Sequence, residues 1–330
     1  MVIEIIKSNP EYQFKPFIFI GEKLNPKFSV PYKIDDIALL KTASDKQVIA
    51  IKEIVKPNKL LSILRDGPRP TNIYEYDFVE TKNEHGSTIA PVPLAPAEFK
   101  YWIFELSGEY LGDFTLIQAI HILSKNLTVI ANIGELMQYF HKALVSAIFY
   151  TNLNLLHQKP VILDENDIIE LKENYELLKK FKSSDFNSSF IGKALLDYNN
   201  TLDIEWSNPF KIIGIFSIIE TLLTSNQKGN DNSINKQLQK KIKLLNNQFK
   251  KKIIFSEYFK GPDTLTIEIV IEKLYAYRSK IAHGDYYDFN KELQVLVDHK
   301  LVLDFLTILL KRIITYALAF PQLIIDLKEC

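Results

Sequence analysis

The segment from Leu274 to Tyr287, LYAYRSKIAHGDYY, holds the residues of this chain best suited to chemistry. Arg278 and His283 stand five apart, Ser279 follows the arginine, and Gly284 follows the histidine at once. Glycine tolerates positive φ and is the residue expected where a helix stops. His283 is therefore expected near a helix C-terminus. Unpaired carbonyls there favour a cation, so the imidazole should titrate within reach of neutral pH and be able to give and take a proton. Arg278 adds a fixed positive charge one turn back. Together these are the parts for binding a phosphate and moving a proton beside it, without a metal site. The plainer alternative is a pair of solvated residues capping an exposed helix.

Spacing constrains how such a pair works. Five residues at 3.6 per turn put the two side chains about 140° apart, so one helix cannot easily aim both at one phosphate. A two-fold dimer relieves this by setting the histidine of each chain near the arginine of the other, across an isologous apolar contact. A homodimer is therefore expected. Its apolar face is sought on the motif helix and on a long helix over Val295 to Phe320, with Leu296, Leu303, Leu306, Ile308, Leu310 and Ile314.

Two further features bear on the site. Glu220, in SIIETLLT, is the one acid on the otherwise apolar helix expected over Phe210 to Thr224, with Pro209 at its start. It either points to solvent or, if inward, needs a cation, for which Arg278 or His283 is the candidate. Between Asn226 and Lys260, nine lysines stand against two acids. Lys240, Lys241, Lys243, Lys250, Lys251 and Lys252 lie in this run, with Phe249, Tyr258 and Phe259 among them. Such a run is either a solvated helix face or a track for a polyanion whose bases stack on the aromatics.

The elements that must carry these residues fall into two parts. Of 330 residues, 47% are hydrophobic and 24% charged, and forty basic residues balance forty acidic ones. That suits a globular protein of two domains without bulk affinity for nucleic acid. The single cysteine, Cys330, excludes an intrachain disulfide and a cysteine metal site. The first stretch lacks the pattern of a signal peptide and no run of apolar residues is long enough to span a membrane, so a cytoplasmic protein without membrane association is expected.

Residues 1–158 read as a mixed α/β sensor or regulatory domain. Strands are expected over Val2 to Ile6, Pro16 to Ile20, Thr71 to Glu80, Phe99 to Leu106 and Leu127 to Ile133. Helices are expected over Asp35 to Val55, capped by Asp35 or Asp36 and either continuous or broken near Ser44, over Asp113 to Ser124 and over Gly134 to Asn152. Asn83 to Ala97, with its glycine and prolines, reads as a loop. Tyr101, Trp102 and Phe104 suit a core strand or, alternatively, a stacking surface for a base or nucleotide effector. His85, His121 and His141 lack a second ligand at metal spacing. Residues 159–330 read as helical, with helices over Ile168 to Phe181, Phe190 to Tyr198, Phe210 to Thr224, the motif segment and Lys291 to Phe320, giving an α+β domain followed by an all-α bundle that is mainly helical overall.

Tyr275, Arg278, Ser279, Ile281, His283 and Gly284, in the wording YxxRSxIAHG, resemble the C-terminal helices of HEPN domains, and the ApeA-like branch most of all. The resemblance covers roughly Val161 to the C-terminus and includes an acid at the place of Glu220. It implies an endoribonuclease that needs no metal or other cofactor, works as a dimer, and belongs to a bacterial toxin, abortive-infection or antiviral defence system. In that reading His283 deprotonates a ribose 2′-hydroxyl or protonates the leaving 5′-oxygen, while Arg278 stabilises the phosphorane and Ser279 orients a phosphate or the histidine. Tyr275 and the lysines would bind RNA, and a trigger ligand or regulatory protein would act on the first domain. Ser279 stands where active members often have Asn, Asp or His. The alternative is a silent HEPN scaffold for dimerisation and for binding RNA or protein, with Arg278 and Glu220 as a structural ion pair.

Overall fold

In a computed structural model of the chain, the described residues are 14–55, 74–83, 86–99, 101–107, 114–134, 139–140, 160–225, 233–261 and 265–329. The chain divides into two compact units, Met1–Lys172 and Glu173–Cys330. The boundary expected after residue 158 and the strand expected over Val2 to Ile6 both lie outside the described residues.

The first unit is built on an antiparallel sheet. Its strands are β1 (Phe17–Ile20), β3 (Tyr32–Ile34), β4 (Ala38–Thr42), β7 (Trp102–Leu106), β8 (Val129–Ile133) and β9 (Tyr139–Phe140), in the order β3-β4-β7-β1-β8-β9. All four residues of β1 are buried, so the sheet is covered on both faces at its centre. Phe17 and Phe19 on one face pack with Tyr74, Tyr101, Ile103, Ala50 and Ile51. The last two belong to α1 (Asp45–Val55). A second helix, α2 (Thr115–His121), precedes β8. The parallel pair β2 (Leu24–Pro26) and β10 (Val161–Leu163) and the hairpin β5 (Tyr76–Asn83) with β6 (Gly86–Pro93) form two small separate ribbons.

Three expectations for this unit are corrected. The helix expected from Asp35 starts only at Asp45, because residues 38–42 pair with both β3 and β7 and bury Leu40 completely. The short apolar run over residues 37–40 satisfies either period, and here the sheet wins. Ser44, not Asp35 or Asp36, stands at the helix start, its amide and hydroxyl both donating to Gln47 Oε1 at 2.9 Å. The loop expected over Asn83 to Ala97 contains β6, whose prolines are tolerated because a two-stranded ribbon leaves one edge of each strand unpaired. Within the helix expected from Gly134, residues 139–140 are strand, paired to β8; residues 141–159 lie outside the described ones.

The second unit is helical. Helix α3 (Glu165–Lys182) carries the chain into it and is opened by a reciprocal cap in which Asp164 and Asp167 each accept the other's amide at 2.9 and 3.1 Å. There follow α4 (Phe190–Leu202), α5 (Phe210–Leu223), α6 (Ile234–Gln248), α7 (Ile267–His283), α8 (His299–Ala319) and α9 (Pro321–Glu329). Helix α5 is the hub and packs against α4, α6, α7, α8 and α9. Its near-continuous apolar sequence follows from that position, since a helix surrounded by others has hardly any wet face. The long helix expected from Lys291 starts only at His299, where Asp298 caps it by accepting the Leu301 amide at 2.8 Å. Residues 285–298 before it are irregular apart from one 3₁₀ turn.

Candidate functional site

Helix α7 positions the motif. Thr266 caps its N-terminus, and Ile267, Val270, Ile271, Leu274, Tyr277 and Ile281 form the buried stripe, at three- and four-residue intervals. Tyr275, Arg278, Ser279 and His283 are left off that stripe. The helix ends where expected, with Gly284 at φ 73°, its amide and that of Asp285 closing onto the carbonyls of Ile281 (3.3 Å) and Lys280 (2.9 Å). A Cβ on Gly284 would meet no atom within 4 Å, so backbone conformation rather than space is what calls for glycine.

Arg278 and Glu220 are brought together. The guanidinium Nη2 lies 3.5 Å from Glu220 Oε2, with side chains 25% and 17% exposed. Burial pushes the Glu220 carboxyl above its usual range; Arg278 opposes that shift without cancelling it. Two atoms of the pair, Glu220 Oε1 and Arg278 Nε, are buried without a hydrogen-bond partner among the described residues. Each group thus retains hydrogen-bonding capacity that the other does not use. The guanidinium also sits over the ring of Tyr275, 5.7 Å from its centroid, and Tyr275 meets Phe216 edge-on at 6.4 Å. Phe216 and Glu220 are one turn apart on α5, so that helix grips the Tyr275 and Arg278 side chains at two points.

His283 and Ser279 are not drawn into this group. His283, the last residue of α7, is exposed, and Ser279 is half-buried beside the arginine; neither makes a side-chain hydrogen bond to a described residue. Because 278–283 is helical throughout, the arginine and histidine of one chain keep the ~140° separation of an ideal helix, about 7.5 Å apart along its axis.

The lysine run divides by role. Lys240, Lys251 and Lys252 are exposed. Lys243 pairs with Glu268 at 2.5 Å and Lys250 with both oxygens of Glu173 at 2.8 and 3.0 Å. Lys241 departs from the reading as a polyanion contact: it is 6% exposed and donates to the Lys328 carbonyl at 3.2 Å, because it lies on the buried side of α6 with Leu238, Ile242 and Leu245. The interleaved aromatics are likewise core. Phe249 and Phe259 are buried, and Tyr258 packs on Phe305 at 5.6 Å. Tyr101, Trp102 and Phe104 are buried in the sheet of the first unit, which answers the choice between core strand and stacking surface in favour of the core.

Sequence reasoning passed over the inner side of α7. Tyr277 is fully buried, and its hydroxyl meets His299 Nδ1 at 2.9 Å while His299 Nε2 faces the Trp206 carbonyl at 3.4 Å. A neutral imidazole with its proton on Nε2 satisfies both contacts. Tyr287 and Phe289 pack edge-on against the Tyr277 ring at 4.8 and 5.1 Å. Burial, with the Tyr287 hydroxyl adding to it, raises the Tyr277 phenol well above its usual range. The signal was the aromatic cluster YYDF just after Gly284, which folds back onto the helix it follows.

In the first unit, a pocket of about 410 Å³ is lined by Lys15, Lys33, Asp35, Leu39 and Glu105 among others. Burial pulls the Glu105 carboxyl up, but Lys41, Gln47 and Lys15 together outweigh it and hold the group below its usual range. His121 is buried within α2; His85 and His141 lie outside the described residues. Among the described residues no group of three or more His, Cys, Asp or Glu is placed to hold a metal ion, and no helix is long and apolar enough to cross a membrane. No family model, curated protein or solved structure matches the chain.

Proposed function

We propose that the second unit is an endoribonuclease of the HEPN type. The observation that carries this reading is the arginine held by Glu220 over Tyr275, on the same helix as an exposed histidine at a glycine-capped end. A guanidinium so held is a preorganised donor for a phosphate oxygen, and the exposed imidazole is within reach of a substrate. The 2′-oxygen of the substrate attacks phosphorus as the phosphorus to 5′-oxygen bond breaks. His283 takes the 2′-proton or supplies one to the leaving 5′-oxygen, and Arg278 stabilises charge on the phosphorane. The nucleophile belongs to the substrate, so this route needs no resident metal.

The products are then a 2′,3′-cyclic phosphate and a 5′-hydroxyl, and a 2′-deoxy residue at the cleaved position blocks the reaction. Products with a 3′-hydroxyl and a 5′-phosphate would contradict the route. The angular separation of Arg278 and His283 calls for a composite cleft in a homodimer, each chain lending one group. A role in toxin or antiviral defence follows from the same reading, with the first unit sensing a trigger or restraining the nuclease. A silent scaffold is the second reading, favoured by the ion pair that already engages Arg278. The two part on expression: an ungated nuclease slows growth and its Arg278→Ala variant does not, whereas a scaffold leaves growth unchanged in both.

A further inference from the structure

The aromatics nearest the lysines are core, which leaves the question of what a nucleobase would meet at the His283 end of α7. Tyr286 is 82% exposed, the most exposed large apolar or aromatic side chain among the described residues. Singly exposed aromatics are ordinary on protein surfaces. This one differs in the backbone beneath it. Lys280 Nζ donates to the Tyr286 carbonyl at 3.0 Å and is itself paired with Glu292 at 3.1 Å. The preceding amide, of Asp285, is bonded to Lys280 O, and the next ring, Tyr287, is packed against buried Tyr277. The chain is therefore anchored on both sides of an outward-pointing ring three residues beyond the histidine.

We propose that Tyr286 is a stacking platform for an unpaired nucleobase next to the phosphate handled at His283, which makes the substrate single-stranded RNA. This rests on the ribonuclease reading above. Charge favours a base over a backbone contact here: Asp285 is exposed beside the ring and would repel a phosphate laid on this turn, whereas the face of a base is uncharged. In a duplex both faces of each base are already covered, so a platform of this kind selects unpaired nucleotides. Anchoring the turn beforehand reduces the ordering lost on binding, and a tyrosine gives up only two side-chain torsions.

The test uses full-length protein carrying His283→Ala, so that RNA survives the measurement, with binding of a labelled single-stranded oligoribonucleotide read by fluorescence anisotropy. Adding Tyr286→Ala should weaken binding about tenfold, on the scale of one lost stack. Tyr286→Phe should stay within about twofold, and an RNA duplex of the same sequence should bind weakly and equally to all three. The ring is exposed, so circular dichroism should show every variant folded. Unchanged single-strand affinity in Tyr286→Ala, in a protein whose parent cleaves RNA, overturns the platform and leaves the ribonuclease standing. A parent that neither binds nor cleaves RNA overturns both.

Discussion

Glu220 is where burial and charge pull against each other most directly. Burial raises its pKa and Arg278 lowers it, with burial winning. A carboxyl whose folded pKa lies above the unfolded value contributes stability that is full below the unfolded value and is lost as the pH rises through the folded value. At neutral pH the ionised form is thus a net cost to the fold, retained beside an arginine that needs orienting. Glu220→Gln should therefore leave the thermal midpoint at pH 7 unchanged or raised, while reducing RNA cleavage through loss of the charge that holds the guanidinium. Glu105 behaves in the opposite sense. Its pKa is depressed by Lys41, Gln47 and Lys15, so its contribution is present above the unfolded value and fades as the pH falls through the folded one. Acid titration followed by circular dichroism should show Glu105→Gln flattening the loss of stability on acidification in the first unit. At Gly284 the positive φ alone sets the cost: Gly284→Ala should destabilise the protein by about 1 kcal/mol, although the added methyl group meets nothing.

At the scale of elements, the lysine-bearing α6 and the turn after it separate into lysines that hold the bundle and lysines that face solvent. Replacing Lys251 and Lys252 with Gln should leave the thermal midpoint nearly unchanged but weaken RNA binding and flatten its dependence on salt, since fewer counterions are released. Lys241→Gln should do the reverse and lower the midpoint with little effect on the salt slope, because its bond to the Lys328 carbonyl ties α6 to α9. Sequence alone could not draw this line. Lys241 sits one residue from Lys240, and only the phase of the helix against α9 decides which of them is buried. Long periodic elements were legible: α3 and α5 came out close to the spans their apolar spacing required, and the Gly284 stop of α7 is a local rule that tertiary contacts did not override. Short elements were legible only in part: β1, β7 and β8 fall within the strands expected for them, but others do not. Residues 38–42 fit either period, and β6 runs against the ordinary meaning of its prolines, because pairing with distant or adjacent strands settles such runs. The Glu220 to Arg278 contact was legible for a physical reason, since a lone acid within an apolar helix needs a cation. The link from Tyr277 to His299 was not, because both look like ordinary helix residues until 285–298 folds back.

For the whole molecule, the face proposed for dimerisation has to move. Leu296, Leu303, Leu306, Leu310 and Ile314 are buried within one chain and unavailable to a second: Leu296 lies in the 3₁₀ turn before α8 and the other four on α8, which packs against α5 among others, while Ile308 is half-buried. On the ribonuclease reading, the separation of Arg278 and His283 still calls for a composite cleft. Light scattering should give close to twice the 38.2 kDa chain mass. A mixture of Arg278→Ala and His283→Ala chains should recover part of the activity that each lacks, since a mixed dimer keeps one complete cleft. Full activity from a monomeric species would show that one helix end bends enough to bring both groups together. On the proposed route, His283 moves a proton while the substrate's own 2′-hydroxyl attacks phosphorus. The most direct measurement is cleavage of a labelled single-stranded RNA by purified protein in excess chelator, compared with a His283→Ala variant shown to be folded by circular dichroism. The expected result is cleavage by the parent and none by the variant; equal cleavage by both, or none by either, would contradict the claim.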